Sequence, residues 1–263
     1  MSSLAVSGPS VSISVDLELE ERGVETRPRE ALESSVHELI DLLGDAQLSA
    51  TWFASEPAIS SSLHHALRSD SAHKAAISMD GDWRGHENGR NRFAAEFLRR
   101  KKAADLAGIE VRALAAPHGV AQENFDLLVR QGISVIRSDS ASATRHKDRA
   151  RLRGVVSLRY GLWQISDVES MSRGGWFGGY FAAKQICRTI DGTIGDRSVI
   201  HFAIDAVRLS VEGRTGLRAV SKVLAHIVGR RRDGLQAGSI VDIVSRLAAP
   251  RKTRPAQSVL RAA

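Results

Sequence analysis

The chain has 263 residues, of which 43% are hydrophobic and 25% are charged, and its formal net charge is +7. This composition is that of a folded globular protein and excludes the disordered and fibrous classes. The length is enough for one large α/β domain with a sizeable core, which we expect here. No apolar run approaches the roughly 20 residues that a membrane-spanning helix requires.

The first predicted element is a strand over residues 11–18 (VSISVDLE), in which apolar and polar residues alternate. Because successive side chains of a strand point to opposite faces, Asp16 and Glu18 share the polar face. Loops at the carboxyl ends of strands carry the chemistry of α/β proteins, so this pair suits a general base beside a metal ligand. The plainer alternative is a strand end that meets water.

Apolar periodicity predicts strands and helices in alternation along the rest of the chain. Predicted helices cover residues 28–44, 58–67, 93–106, 124–130, 176–190 and 216–228. Predicted strands cover residues 48–53, 74–80, 109–115, 133–137, 155–160, 162–165 and 198–204, and a closing element covers 239–247. This alternation indicates a mostly parallel sheet, open or closed into a barrel.

The distribution of basic residues and the cysteine content bear on whether the protein binds nucleic acid and in which cell compartment it works. The basic residues are densest at 145–153, at 230–232 and in the tail from 250, with no aromatic residues interleaved to stack on bases. We therefore expect no nucleic-acid partner. The start of the chain lacks the basic and apolar regions of a signal peptide, and Cys187 is the single cysteine, so we expect a cytoplasmic protein.

The succession SISVDLELE, LSATWFASEPA, GDWRGHENGRNRF, ALAAPHG, GISVIRSDS and SVIHFAIDAVRL resembles the polysaccharide deacetylase (NodB-homology) family. The resemblance implies an α/β fold, a distorted (β/α) barrel of about seven parallel strands. It also implies removal of acetyl groups from an N-acetylated sugar or glycan with a divalent metal, Zn, Mn or similar. We expect the barrel to occupy residues 11–248, between a disordered start (1–10) and a basic disordered tail (249–263).

The first two motifs of the family imply a base and a metal site. Asp16 matches the general base, and Glu18 matches the first metal ligand. The second motif, a His-x-x-x-His pair, has Asp82 at its first position and His86 at its second. Glu18, Asp82 and His86 would then form an acid-rich set suited to harder ions than a histidine-rich site prefers. A solvated loop histidine is the alternative for His86.

The third motif, Arg-x-Pro-Tyr-Gly, is altered in this sequence. It reads AAPHG over residues 115–119, so the arginine that orients the base is absent and Asp16 is expected to lack an arginine partner. Pro117, His118 and Trp83 are the expected sugar contacts, since the flat faces of their rings can pack against the C–H groups of a sugar. The alternatives are an exposed turn for His118 and core packing for Trp83.

The last motif supplies a histidine as general acid, and here Asp205 occupies that position. An aspartate can donate a proton only if it is kept protonated by burial. His201 lies four residues earlier on the same face of the predicted strand, and is the second candidate for the acid. The alternative for His201 is a hydrogen-bonded core histidine. Two functions therefore remain open: a weak or altered deacetylase, and a catalytically inactive carbohydrate-binding protein.

Overall fold

A computed structural model describes residues 8–17, 29–56, 60–69, 72–79, 81, 88–138, 155–165, 168–170, 178–196 and 198–248. The strands in these residues are β1 Ser10–Asp16, β2 Thr51–Ala54, β3 Lys74–Ser78, β4 Val111–Ala115, β5 Val135–Arg137, β6 Val155–Ser157, β7 Trp163–Ile165, β8 Val168–Ser170, β9 Val199–Asp205 and β10 Gln236–Ser239. The α-helices are α1 Arg29–Asp45, α2 Ser61–Ser69, α3 Gly89–Leu106, α4 Phe125–Arg130, α5 Gly178–Asp196, α6 Ala206–Glu212, α7 Arg214–Arg230 and α8 Ile240–Ala248.

These strands form one curled sheet in the order β6-β7-β5-β4-β3-β2-β1-β9-β8, and β10 pairs with the first half of β1. Every neighbouring pair is parallel except β6 with β7. Within the described residues β6 and β8 do not pair with each other, so the barrel is incomplete. The predicted distorted (β/α) barrel is confirmed, and its parallel run from β7 to β8 has eight strands where about seven were expected.

The outer face of β1 carries the apolar half of its alternating sequence. Val11, Ile13 and Val15 are fully buried there in a cluster with apolar residues of α1, α5 and α7. Burying side chains of this size stabilises the fold by about 1.5–3 kcal/mol each. This packing fixes the register of β1 and directs its polar residues to the inside of the barrel, because a slip of one residue would turn the apolar set inward and place the serines against the helices.

Helix α8 closes the inside of the barrel from one end. Its Ile240, Val241, Ile243 and Val244 form a buried cluster with inward-facing residues of β2, β3, β4 and β5. At its first residue, the amide of Ile240 donates a hydrogen bond to Thr51 Oγ1 on β2 (3.0 Å). Helix α8 therefore packs apolar side chains into the inside of the barrel between these strands.

A glycine separates the two helices that follow β9. Gly213 has φ 58° and ψ −137°, a conformation that only glycine adopts without strain, and it lets α7 begin directly after α6 ends. Three residues later, a Cβ at Gly216 would lie 2.6 Å from Leu209 Cδ2, so any other residue here requires the buried Leu209 side chain to shift. In the part of the chain that the structure describes, no helix has the length and apolarity to cross a membrane.

Candidate active site

The polar face of β1 leads to the carboxyl edge of the barrel. Ser12, Ser14 and Asp16 lie on this inward face, and Asp16 is the last residue of the strand. The parallel register places Asp16 beside Phe53 of β2 on one side and Asp205 of β9 on the other. The structure thus brings two of the predicted catalytic residues to adjacent strand ends.

An arginine from β5 reaches across the barrel to Asp16. Arg137 Nη1 donates to Asp16 Oδ1 at 2.6 Å and to Ser14 Oγ at 3.1 Å. The Arg137 side chain is 15% exposed and that of Asp16 is 28% exposed, so the ion pair is partly shielded from water. The guanidinium also stacks over the ring of Phe53, 4.1 Å from its centroid, which favours the cation electrostatically.

This contact corrects one expectation from the sequence. Asp16 does have an arginine partner, although Ala115 stands where the third motif would place one. The two positions are related, because the amide of Ala116 after β4 donates to the carbonyl of Arg137 at the end of β5 (2.8 Å). A side chain from the next strand of the sheet therefore supplies the charge that the third motif lacks.

His201 lies deeper, on the inward face of β9, and is 1% exposed. Its Nδ1 is 2.9 Å from Ser12 Oγ, and its Nε2 is 3.0 Å from Ser14 Oγ. Burial, with the nearby charge of Arg137 as a second cause, lowers the pKa of His201 well below its ordinary value of 6.5. The imidazole is therefore neutral, and both of its nitrogens are engaged inside the barrel.

Asp205 begins a helix at the end of β9. Its Oδ1 accepts a hydrogen bond from the amide of Arg208 (2.9 Å), and it thereby caps the N-terminus of α6. A carboxylate in this position satisfies a backbone donor and interacts favourably with the helix dipole. An aspartate directly before a helix is a capping signal, so Asp205 has this structural role whether or not it also acts as the predicted acid.

The Pro117–His118–Gly119 turn follows β4 at the same edge. Gly119 has φ 77°, and its amide donates to the carbonyl of Ala116 (2.8 Å), which closes the turn. Pro117 is half-buried and His118 is exposed. Since the amide of Ala116 bonds to Arg137, this turn lies next to the strand that supplies the arginine.

The predicted metal ligands Glu18, Asp82 and His86, together with Trp83, lie outside the described residues. Among the residues that are described, no three His, Cys, Asp or Glu side chains form a group that could hold a metal ion. Glu18 follows the last residue of β1 by two positions, and Asp82 follows the last residue of β3 by four. Two carboxylates with one imidazole are donors that Zn and Mn accept, so the chemistry of this set suits a divalent metal, and the site itself stays a prediction.

No protein-family model and no curated protein matches the sequence. Among solved structures, the chain is similar to a Mycobacterium smegmatis protein assigned as a polysaccharide deacetylase, with a TM-score of 0.66 and 12% identity over 90% of this chain and 89% of that one. It is similar to Puue allantoinase (TM-score 0.64, 12% identity, 92% and 91% covered). It is also similar to a Pseudomonas aeruginosa PAO1 protein assigned as a polysaccharide deacetylase, with a TM-score of 0.62 and 12% identity over 90% of each chain. The chain has the fold of these deacetylase and allantoinase structures.

Proposed function

We propose that the chain is a metal-dependent hydrolase that removes acetyl groups from an N-acetylated sugar or glycan. One observation carries the proposal. The carboxylate of Asp16 stands at the carboxyl edge of a deacetylase-like barrel and is held there by Arg137 at 2.6 Å. Active sites of parallel barrels lie at this edge, and a base must be held in a fixed orientation to accept a proton efficiently.

In this proposal, Asp16 accepts the proton of the water that attacks the amide. Arg137 fixes the orientation of the Asp16 carboxylate, because its guanidinium donates hydrogen bonds to both Asp16 and Ser14. Glu18, Asp82 and His86 would hold a divalent cation, which supplies Lewis acidity at the amide carbonyl when bound. Pro117, His118 and Trp83 are the proposed sugar contacts.

The weak part of this machinery is the general acid. Asp205 is the proposed donor to the leaving amine, but an ionised carboxylate has no proton to give. Its Oδ1 already accepts the amide of Arg208, an interaction made by a capping carboxylate. We therefore expect slow deacetylation at neutral pH that improves on acidification, and an Asp205→His variant that is faster by about 10²–10⁴-fold, the range typical of a general acid.

The same observations favour a second candidate function, a sugar-binding protein that no longer turns over its ligand. His201 is enclosed between two serines, and Asp205 caps a helix. If neither donates a proton, the polar carboxyl edge of the barrel would still bind an acetylated sugar, without turnover and without a metal.

Metal analysis separates the proposal from its alternatives. Protein dialysed against Zn²⁺ or Mn²⁺ and then passed through a desalting column should retain about one ion per chain. The His86→Ala variant should lose it, and the matched control His37→Ala, which changes an exposed histidine of α1, should keep it. A native chain that retains no ion above the level of His86→Ala would exclude the metal-dependent hydrolase.

A further inference from the structure

A chain of buried hydrogen bonds lies directly behind the Asp16–Arg137 pair. It runs from Arg137 to Ser14, from Ser14 to His201, and from His201 to Ser12. Both serines are fully buried and His201 is 1% exposed, so no water or substrate reaches these groups from outside. Three polar side chains inside a barrel carry a desolvation cost unless each is hydrogen-bonded, and here each is.

The donors and acceptors in this chain can be assigned from one end. Ser12 Oγ donates to the carbonyl of Ile200 (3.3 Å), so its single proton is used and it accepts the proton on His201 Nδ1. His201 Nε2 then carries a lone pair, which accepts the proton of Ser14 Oγ. The oxygen of Ser14 is left to accept from Arg137 Nη1. The assignment is self-consistent for a neutral imidazole protonated on Nδ1.

This assignment gives His201 control over the direction of one hydroxyl. If the ring were absent, the Ser14 hydroxyl would have no partner on this side and could rotate about its Cα–Cβ bond. Without the ring, the Ser14 proton would lose its acceptor in a fully buried place, so the hydroxyl oxygen that anchors Arg137 would no longer be held in one position. The orientation of Arg137 therefore depends on a residue that Arg137 does not touch.

We propose that His201 is a positioning residue, which acts through Ser14 to fix the guanidinium of Arg137 on the carboxylate of Asp16. His201 does not contact substrate in this role, since its ring is enclosed by Ser12 and Ser14. Ser14 is likewise too deeply buried to be a nucleophile. The importance of this alignment for turnover rests on the proposed function of Asp16 as the base, whereas the alignment itself can be measured without activity.

The test uses Ser14→Ala, which removes the link, and Ser10→Ala as its matched control. Ser10 lies on the same face of the same strand and is also buried, but its hydroxyl bonds to the carbonyl of Gly8, away from Arg137. In ¹⁵N NMR spectra of the full chain, His201 should be neutral and protonated on Nδ1. The guanidinium signals of Arg137 should show faster rotation in Ser14→Ala and be unchanged in Ser10→Ala. Equal Arg137 signals in the two variants would overturn the proposal, whatever the activity.

A second pair of variants tests the imidazole itself. His201→Leu removes both hydrogen bonds, whereas His201→Gln keeps one donor and one acceptor and should restore part of the Arg137 signal. With acetate release as the readout, Ser14→Ala and His201→Leu should lower kcat by about 10- to 100-fold with KM unchanged. Unchanged kcat in an active protein would overturn the proposal. If the NMR signals respond as expected but the native chain releases no acetate with any metal, the alignment stands and the proposed function fails.

Discussion

Replacing Arg137 with methionine removes the guanidinium but keeps an apolar stem over Phe53. The lost bond to Asp16 is charge-assisted and partly buried, worth about 1.5–3 kcal/mol, and the lost bond to Ser14 is worth about 1 kcal/mol. The methionine variant no longer carries the desolvation cost of a buried guanidinium, and this gain offsets part of the loss. We expect the free energy of unfolding to fall by about 2–3 kcal/mol, or the Tm by roughly 4–12 °C for a chain of this size.

The assay is urea unfolding followed by the fluorescence of the buried Trp52 and Trp163. Arg112→Met is the matched control, because Arg112 pairs with Glu110 across side chains that are 53% and 73% exposed. Exposed pairs contribute about 0–1 kcal/mol, so this variant should change little. A double-mutant cycle with Asp16→Asn should give a coupling energy of about 1–3 kcal/mol. Equal losses for the two arginine variants, with no coupling to Asp16, would refute the reasoning.

Three further changes should have measurable effects on stability. Below pH 6.5 an unfolded His201 binds a proton that the folded one does not. As the pH is lowered below this value, the free energy of unfolding should therefore decrease by up to about 1.4 kcal/mol per pH unit from this group. Urea unfolding of His201→Gln between neutral and acidic pH should show a shallower dependence, and equal slopes would contradict the buried neutral ring. Asp205→Ala should cost about 0.5–2 kcal/mol by removing the cap of α6, while Asp205→Asn should cost less; equal Tm values for native protein and Asp205→Ala would exclude the cap. Gly216→Ala should cost about 1–3 kcal/mol in the same assay because its methyl group meets Leu209, and no loss would mean that this side chain moves aside.

The strand alternation in the sequence was enough to predict the inward face of β1. In residues 11–18 each apolar residue has a polar neighbour, and the observed strand buries Val11, Ile13 and Val15 outside and directs Asp16 inside. The same period-two reasoning placed His201 and Asp205 on one face of β9, which the register with β1 shows. Local periodicity is sufficient for such predictions because it depends on one element only.

Contacts between elements cannot be predicted from local periodicity. Arg137 ends a short strand (ISVIR), and nothing in its local sequence indicates that its side chain crosses to β1, which lies four places away in the sheet order. Strand β10 (Gln236–Ser239) was not predicted because its QAGS sequence has no apolar alternation, and it is ordered by pairing with β1. Helix α6 has only seven residues, which are too few to give a clear helical period, so the sequence does not predict it.

Acetate release from an N-acetylated chito-oligosaccharide by metal-loaded protein tests the central claim most directly. The native chain should release acetate slowly at neutral pH and faster on mild acidification, and Asp16→Asn should abolish release. Asp41→Asn, which changes an exposed aspartate of α1, should behave as the native chain does. Release by Asp16→Asn at the native rate would contradict the account, because the carboxylate that Arg137 holds would then not be the base.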